Sequence, residues 1–212
     1  MEIKKTINPA NGLMSSRCSI RNYDTSVKIN REEMTNILQD ALTAPSSFNL
    51  QPWRFVVIDT QDGKKIIEPY MMFNHTQWET SAAVIAIFGD LEADENLDKI
   101  LSANIEHHLM DEERKTKMTE MIKSYRASFS EEKTRNGVML DCGFVSMQLM
   151  LSAKAYGYDT NPIGGYMKKE FTEAVGLDPK RYEPVILLTI GKAAEDSHDS
   201  VRLSVDEVTK WL

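Results

Sequence analysis

Two stretches of the chain carry apolar residues at helical spacing. In the first, Asn30 and Glu33 resemble a capping box, and the helix that they begin ends before Pro45, with an apolar face of Met34, Ile37, Leu38, Ala41 and Leu42. In the second, residues 138–156, apolar side chains cover every side, so we expect a long and largely buried central helix. Gly157 suits the left-handed conformation that closes such a helix.

Three shorter runs are rich in branched and aromatic residues, which is typical of buried strands: residues 54–59, 83–88 and 184–190. Between the second and third runs, residues 92–135 are dense in charge with scattered Leu, Ile and Met, which indicates helices on the outside of the domain or over an opening in it. Strands and helices do not alternate regularly, and the sequence contains neither a repeat nor a linker. We therefore predict an α+β fold and a single domain over residues 1–212.

Composition narrows the possible functions. The chain has 25 Lys and Arg against 32 Asp and Glu, a net charge of −7, which disfavours nucleic acid as a partner. Its two cysteines, Cys18 and Cys142, are too few for a disulfide scaffold. Residues 1–17 contain no apolar signal segment, and the longest apolar run, residues 82–88, is too short to span a bilayer. We therefore expect a cytoplasmic protein without a membrane anchor.

Several common catalytic motifs are absent from the sequence. It contains no Rossmann or P-loop glycine pattern, no H-E-x-x-H, no paired C-x-x-C and no G-x-S-x-G. Cys142 lies in the apolar helix, where a thiolate is disfavoured, so we interpret it as a core residue. We assign neither a metal site nor a protein nucleophile.

Three polar residues alternate near the N-terminus: Arg17, Ser19 and Arg21. In an extended segment alternate side chains lie on one side, so two guanidinium groups and a hydroxyl would form a compact anion site. Such a site suits a phosphorylated ligand. The alternative is a solvated basic strand end.

Two further segments could approach a ligand. Residues 45–52, P-S-S-F-N-L-Q-P, form a polar loop whose short hydrogen-bonding side chains can hold a polyol or the edge of a heterocycle, or can serve only as caps and turns. Residues 158–166 follow the central helix and contain Pro162, Gly164 and Gly165, so this segment can bring bare backbone close to a ligand.

Taken together, R-x-S-x-R, P-S-S-x-N-x-Q-P-W and P-I-G-G resemble the motifs of the FMN-dependent nitroreductase family, over nearly the whole chain. The resemblance implies a homodimeric α+β fold, with a mixed, mostly antiparallel sheet flanked by helices and flavin sites at the subunit interface. It also implies FMN as cofactor, NADH or NADPH as hydride donor, and a small electron-poor acceptor such as a nitroaromatic or a quinone, reduced by a ping-pong mechanism. The flavin N5 would carry the hydride, so no catalytic side chain is assigned.

The resemblance assigns cofactor-binding roles to particular residues. The flavin phosphate and pyrimidine edge would contact Arg17, Cys18, Ser19, Arg21 and Arg202. The partner subunit would supply Pro45, Ser46, Ser47, Asn49 and Gln51. The backbone beside N5 would come from Pro162, Ile163, Gly164 and Gly165. Asn74 and Gln77 would lie by the pyrimidine ring, and Gly191 and Lys192 match the end of the strand that leads to Arg202.

The chain departs from the family pattern at a few of these positions. Some members carry lysines where Gln77 and Ser200 stand here, and others carry Glu in place of Gly164. The differences at Gln77 and Ser200 remove positive charge that would stabilise reduced flavin at N1, and so they bear on the reduction potential and the preferred acceptor.

Several alternatives remain open at the level of sequence. One is the same fold with other flavin chemistry, such as ene reduction, dehydrogenation or reductive dehalogenation. Others are a non-catalytic flavin-binding protein and an FMN-free protein in which the Arg and Ser motifs are structural. For the acceptor site, we predict that residues 104–129 form helices over the flavin with Tyr125 or Phe129 near the acceptor, whereas a surface helix is the alternative.

Overall fold

The computed structural model describes residues 9–198 and 200–212. Its α-helices are α1 (Pro9–Ser16), α2 (Arg31–Ala41), α3 (Gln61–Ile67), α4 (His75–Thr80), α5 (Leu97–Glu106), α6 (Glu112–Arg126), α7 (Glu131–Ala155), α8 (Lys168–Ala174) and α9 (Val205–Val208). Its strands are β1 (Trp53–Ile58), β2 (Ala83–Asp90), β3 (Asp159–Ile163) and β4 (Tyr182–Gly191). Short 3-10 helices lie at Ser47–Asn49, Glu68–Tyr70 and Ala93–Asn96.

The strands form one sheet in the order β1-β2-β4-β3, and each neighbouring pair is antiparallel. Ala83 lies opposite Ile190, and Asp159 lies opposite Gly191, so β3 forms one edge and β1 the other. An isolated parallel bridge joins Ser19 to Thr160 on the outer side of β3. The predicted α+β class with a mostly antiparallel sheet is confirmed.

Helices cover both faces of this sheet, which explains why β2 is apolar at nearly every position. Alternate residues of a strand point to opposite faces. Ile85 and Ile87 pack into a cluster with α2 and α7, whereas Ala86 and Phe88 pack into a second cluster with residues of α3, α4 and α8. Both side-chain sets of β2 are therefore removed from water.

The central helix α7 differs from the prediction in two ways. It begins at Glu131, because the Ser130 side chain accepts a hydrogen bond from Lys133 N, so its first two turns are polar and precede the apolar stretch. It is also not buried on every side: Leu140, Phe144 and Met147 are 60%, 44% and 40% exposed. These three residues recur at helical spacing, so one apolar stripe of α7 lies outside the core of the chain.

Other elements follow the sequence closely. Asn30 caps α2 by accepting from Glu33 N, while the Glu33 carboxylate accepts a hydrogen bond from Tyr158. Gly157 and Gly176 both have positive φ, 81° and 82°, after α7 and α8. Helices within residues 92–135 are confirmed as α5, α6 and the start of α7.

β3 and α1 are among the elements that were not predicted. Residues 159–163 form β3 although Pro162 has no backbone N–H to donate. An edge strand tolerates proline because the backbone groups on its outer side do not have to pair with a neighbouring strand. Helix α1 lies within residues 1–17, for which no helix was predicted. Among the described residues, no helix combines the length and apolar character needed to cross a membrane.

Candidate cofactor site

The segment after α1 runs along the outer edge of β3. Arg17 N still donates to Leu13 O at 3.2 Å, and Ile20 N then donates to Thr160 O at 3.2 Å. The Ile20 side chain is buried in the core at 2% exposure. Arg17, Ser19 and Arg21 instead line a cleft, which is the one-sided arrangement expected of an extended segment.

This cleft, about 370 Å³ in volume, is lined by Arg17, Cys18, Ser19, Arg21, Asn161, His198, Ser200 and Arg202. Three of these side chains are guanidinium groups and none is a carboxylate. Arginine donates from a planar fork that fits phosphate oxygens, and the surrounding chain is acidic overall at −7. The arginine cleft is therefore a local anion site within an acidic protein.

Sequence reasoning did not assign Asn161, His198 or Ser200 to this cleft. Asn161 belongs to β3, so recognising that strand beside Ser19 would have indicated it. Ser200 stands two residues before Arg202, and this alternate spacing could have indicated that Ser200 lies on the same side of the segment as Arg202. His198 carried no comparable signal, since it lies in a segment without helix or strand.

The two glycines after β3 have different surroundings. A Cβ on Gly165 would lie 2.9 Å from Phe73 Cδ2, whereas a Cβ on Gly164 would meet no atom within 4 Å. A side chain at Gly165 would require the exposed Phe73 ring to move, whereas one at Gly164 would meet none of the described residues. Ile163 is 1% exposed in the core, so of this residue only the backbone could reach a ligand, and Pro162 is half-buried.

Asn74 and Gln77 hold each other in place. Asn74 has a left-handed backbone, φ 61°, directly before α4. Gln77 is buried, and its Nε2 donates to Asn74 Oδ1 at 3.0 Å. Because this bond occupies the Asn74 carbonyl, the amide N–H groups of Asn74 are the part left to donate to a ligand.

The loop over residues 45–51 is shaped by its own hydrogen bonds and by α7. Gln51 N donates to Ser46 Oγ at 3.0 Å, and Gln51 Nε2 donates to Asn49 O at 3.1 Å. Phe48, Asn49 and Gln51 have positive φ of 52°, 57° and 49°. Such conformations cost about 1 kcal/mol or more each in a residue other than glycine, and they persist only where surrounding structure enforces them.

Asp141 of α7 supplies part of that enforcement. Its two carboxylate oxygens accept from Ser47 N at 3.2 and 3.1 Å, and the residue is 6% exposed. Burial raises the pKa of Asp141, although the Ser47 hydrogen bond and the charge of Arg126 act in the opposite direction. The loop is therefore tied to a desolvated carboxylate on the central helix.

Within one chain, this loop does not reach the arginine cleft. Asn49 and Gln51 line a different cavity of about 670 Å³, together with residues of β1 and α5 such as Arg54 and Lys99. No described residue lines both cavities.

Tyr125 and Phe129 lie beside the loop, and neither lines the arginine cleft. The ring centroids of Phe48 and Tyr125 are 5.8 Å apart, and those of Tyr125 and Phe129 are 4.9 Å apart. Lys133 Nζ lies 3.7 Å from the centroid of Phe129, whereas Tyr125 is 51% exposed. Of the two rings, Tyr125 is the more exposed, whereas Phe129 is half-buried and lines a separate cavity beside Leu91 and Arg135.

Gly191 and Lys192 lie outside the cleft. A Cβ on Gly191 would lie 2.9 Å from Tyr23 Cδ1 and 3.1 Å from Ala82 N, so glycine is needed for close packing there. Lys192 Nζ donates to Gly157 O at 2.9 Å, beyond the end of α7. In this chain both residues hold the strand end and the following turn.

Cys142 is fully buried, and burial raises the pKa of its thiol to about 12, which agrees with a core role. Cys18 is half-buried and free. The described residues contain no group of three His, Cys, Asp or Glu side chains arranged to hold a metal ion.

The chain is similar to nitroreductases over most of its length. The model of the nitroreductase family matches residues 14–192. YdgI of Bacillus subtilis, which carries the provisional name NAD(P)H nitroreductase, is 49% identical over 199 residues, 94% of this chain and 95% of YdgI. The CLA biosynthesis enone reductase of Lactiplantibacillus plantarum is 34% identical over 201 residues, 94% of this chain and 93% of that protein. A crystal structure from Exiguobacterium sibiricum, provisionally named a nitroreductase and determined in complex with FMN, has a TM-score of 0.94 and 46% identity, covering 99% of this chain and 100% of that one.

Proposed function

The chain belongs to the nitroreductase family and is an FMN-dependent NAD(P)H oxidoreductase, and from this premise we propose that it reduces small electron-poor acceptors such as nitroaromatics and quinones. The observation that carries the proposal is the arginine cleft, where the described lining residues include three guanidinium groups and no carboxylate. When bound, FMN supplies the redox chemistry, taking a hydride from NADH or NADPH and passing two electrons to the acceptor. The single-domain organisation and the cytoplasmic location stay predictions.

The residues of the cleft fit the FMN phosphate. Arg17, Arg21 and Arg202 would neutralise the phosphate dianion, and Ser19 would add a neutral donor. Gly164 would leave room for the ring system, because a side chain there would project into space that none of the described residues fills. Asn74, held by Gln77, would present its amide N–H groups to a carbonyl edge of the ring.

We further propose that each site is built from two chains of a homodimer. The loop over residues 45–51 and the exposed ring of Tyr125 lie together, away from the arginine cleft of their own chain. The apolar stripe of Leu140, Phe144 and Met147 on α7 offers a surface for a two-fold interface. In such a dimer, the loop and Tyr125 of one subunit would cover the cleft of the other.

A mixing experiment tests the two-chain site. Arg17→Ala and Asn49→Ala should each impair both sites of their own homodimer, provided that each variant still dimerises. Chains that are unfolded and refolded together in equal amounts should form mixed dimers in about half of all cases, so about a quarter of all sites should regain parental activity.

The activity of the refolded mixture can also contradict the proposal. If the mixture is no more active than the average of the two separate variants, both residues act within the same chain. The two-chain site would then be abandoned.

The reaction itself is tested by steady-state kinetics after the bound flavin has been identified by its absorbance spectrum. Because the sequence offers no second nucleotide site, donor and acceptor should use one pocket in turn, and double-reciprocal plots should give parallel lines. Intersecting lines with several acceptors would show that both substrates bind together. If NAD(P)H does not reduce the bound FMN under anaerobic conditions, the protein would instead be a non-catalytic flavin-binding protein.

Ene reduction is a second candidate, because a relative that is 34% identical is named an enone reductase. A panel of one nitroaromatic, one quinone and one conjugated enone, each assayed with NADH and NADPH, separates the two. If the protein reduces mainly nitroaromatics and quinones, we expect kcat/KM to be highest for one of these two acceptors. A kcat/KM that is highest for the enone would favour the second.

A further inference from the structure

His198 lies in the arginine cleft although sequence reasoning gave it no role. The chain leaves β4 at Gly191 and returns to the cleft with three alternating residues: His198, Ser200 and Arg202. Of these three, Arg202 carries a permanent charge and Ser200 is neutral. His198 is the remaining group on this segment that can carry positive charge toward the cleft.

Among residues 9–198 and 200–212, the other titratable groups that line the cleft are Arg17, Cys18, Arg21 and Arg202. The acidic side chains of neighbouring described residues do not line it. On β3, Asp159 is paired with Lys154 at 2.6 Å, and on the segment before His198, Glu195 and Asp196 are exposed and do not line the cleft. No described carboxylate in the cleft can pair with a protonated His198, so a bound phosphate would be its anionic partner.

We infer that His198 is a further ligand of the FMN phosphate and that its protonation makes FMN affinity depend on pH. The inference rests on the proposed placement of the phosphate in the arginine cleft. An imidazolium can donate from both ring nitrogens and adds a charge that neutral imidazole lacks. Histidine is the side chain whose charge ordinarily changes between pH 5 and 8, so the effect falls in a range that is easily measured.

Two titrations act on the affinity in opposite directions. FMN gains negative charge as its phosphate loses a second proton near pH 6, which strengthens binding as pH rises. A histidine side chain ordinarily loses its charge between pH 5 and 8, so a phosphate contact from an imidazolium would weaken as pH rises. The titration of the FMN phosphate affects both proteins equally, because the ligand is the same. It therefore cancels in the ratio of the Kd of His198→Gln to the Kd of the parent.

The experiment measures the Kd of FMN for the parent and for His198→Gln by flavin fluorescence at pH 5.5, 6.5 and 8.0. We expect the ratio of the two Kd values to be about tenfold at pH 5.5 and close to one at pH 8.0. Ser200→Ala is the matched control, since it alters the same segment without a titratable group, so its ratio should not change with pH. Repeating the comparison in a Cys18→Ser background removes the thiol as a second source of pH dependence.

Riboflavin, which lacks the phosphate, identifies the group that His198 contacts. Its affinity should be the same for parent and His198→Gln at each pH. A ratio for FMN that stays constant over the pH range, whatever its size, would overturn the inference, and so would an equal pH-dependent ratio for riboflavin. A parent protein that binds no FMN at any pH would overturn the cofactor itself, which is a different result from failure of His198 alone.

Discussion

Asp141 offers a quantitative test of how the flavin loop is held. Its carboxylate is 6% exposed and accepts from Ser47 N through both oxygens. Asp141→Ala leaves this N–H without its acceptor, and a hydrogen bond to a charged group contributes about 1.5–3 kcal/mol. We expect a loss of about 2 kcal/mol in the free energy of unfolding, because the loss of a desolvated charge offsets part of the loss of the bond.

Asp141→Asn separates the charge from the hydrogen bond. The amide keeps one oxygen for Ser47 and removes the desolvated charge, so its stability at pH 7 should lie within about 1 kcal/mol of the parent. Burial raises the pKa of Asp141, so the folded protein holds this proton more tightly than the unfolded chain does. The contribution of Asp141 to the stability of the parent should therefore fall as pH rises from about 4, the ordinary aspartate value, through the raised value, and Asp141→Asn should lack this pH-dependent contribution.

Urea unfolding of the three proteins at equal concentration, from pH 4 to pH 7, provides the measurement. The free energy of unfolding of Asp141→Asn should increase relative to that of the parent as the pH rises through this window. If Asp141→Asn is as unstable as Asp141→Ala at pH 7, the charge itself holds the loop and the argument from desolvation is wrong. If Asp141→Ala unfolds at the same urea concentration as the parent, the Ser47 contact contributes nothing.

Three further predictions concern the cleft, the sheet and the acceptor. Arg202→Ala should weaken FMN binding by about tenfold to a hundredfold with unchanged far-UV circular dichroism, whereas Arg31→Ala, an exposed arginine outside the cleft, should not; equal Kd values for both would remove Arg202 from the site. Gly89→Ala would place a Cβ 2.2 Å from Val138 Cγ1, so it should cost about 1–3 kcal/mol in urea unfolding. The cost should be much smaller in a Val138→Ala background, and an equal cost there would show that this contact is not the cause. Tyr125→Ala should change the nitroaromatic-to-quinone ratio of kcat/KM more than Phe129→Ala, because the Tyr125 ring is exposed whereas the Phe129 ring is half-buried. Parental ratios in both variants would place both rings away from the acceptor.

The sequence indicated the arginine cleft well because its residues obey a local rule. Arg17, Ser19 and Arg21 alternate along an extended segment, and alternation alone brings them to one side. Helix caps such as Asn30 are equally local, since the cap and its N–H donor lie three residues apart. Features of this kind can be predicted without knowledge of the rest of the chain.

The features that were missed depend on contacts between distant residues. Strand β3 contains Asp159 and Pro162, which argue against a strand, yet β4 pairs with it and Ser19 bridges its outer edge. The exposed stripe on α7 was missed because Leu140 and Phe144 differ from buried residues only in what faces them. His198 reaches the cleft only because the chain returns there after β4.

The strand order has a consequence for synthesis of the protein. β4 is the last strand to be made, yet it lies between β2 and β3 and pairs with both. β2 ends at Asp90 and β4 begins at Tyr182, so at about 5–20 residues per second the inner edge of β2 waits roughly 5–20 s for its partner. During that interval a nascent chain carries an unpaired apolar strand edge, which is a site for misplaced pairing or chaperone binding. A chain that stops before residue 182 cannot close its sheet, so interrupted translation should yield fragments that are degraded or aggregate rather than a smaller working protein.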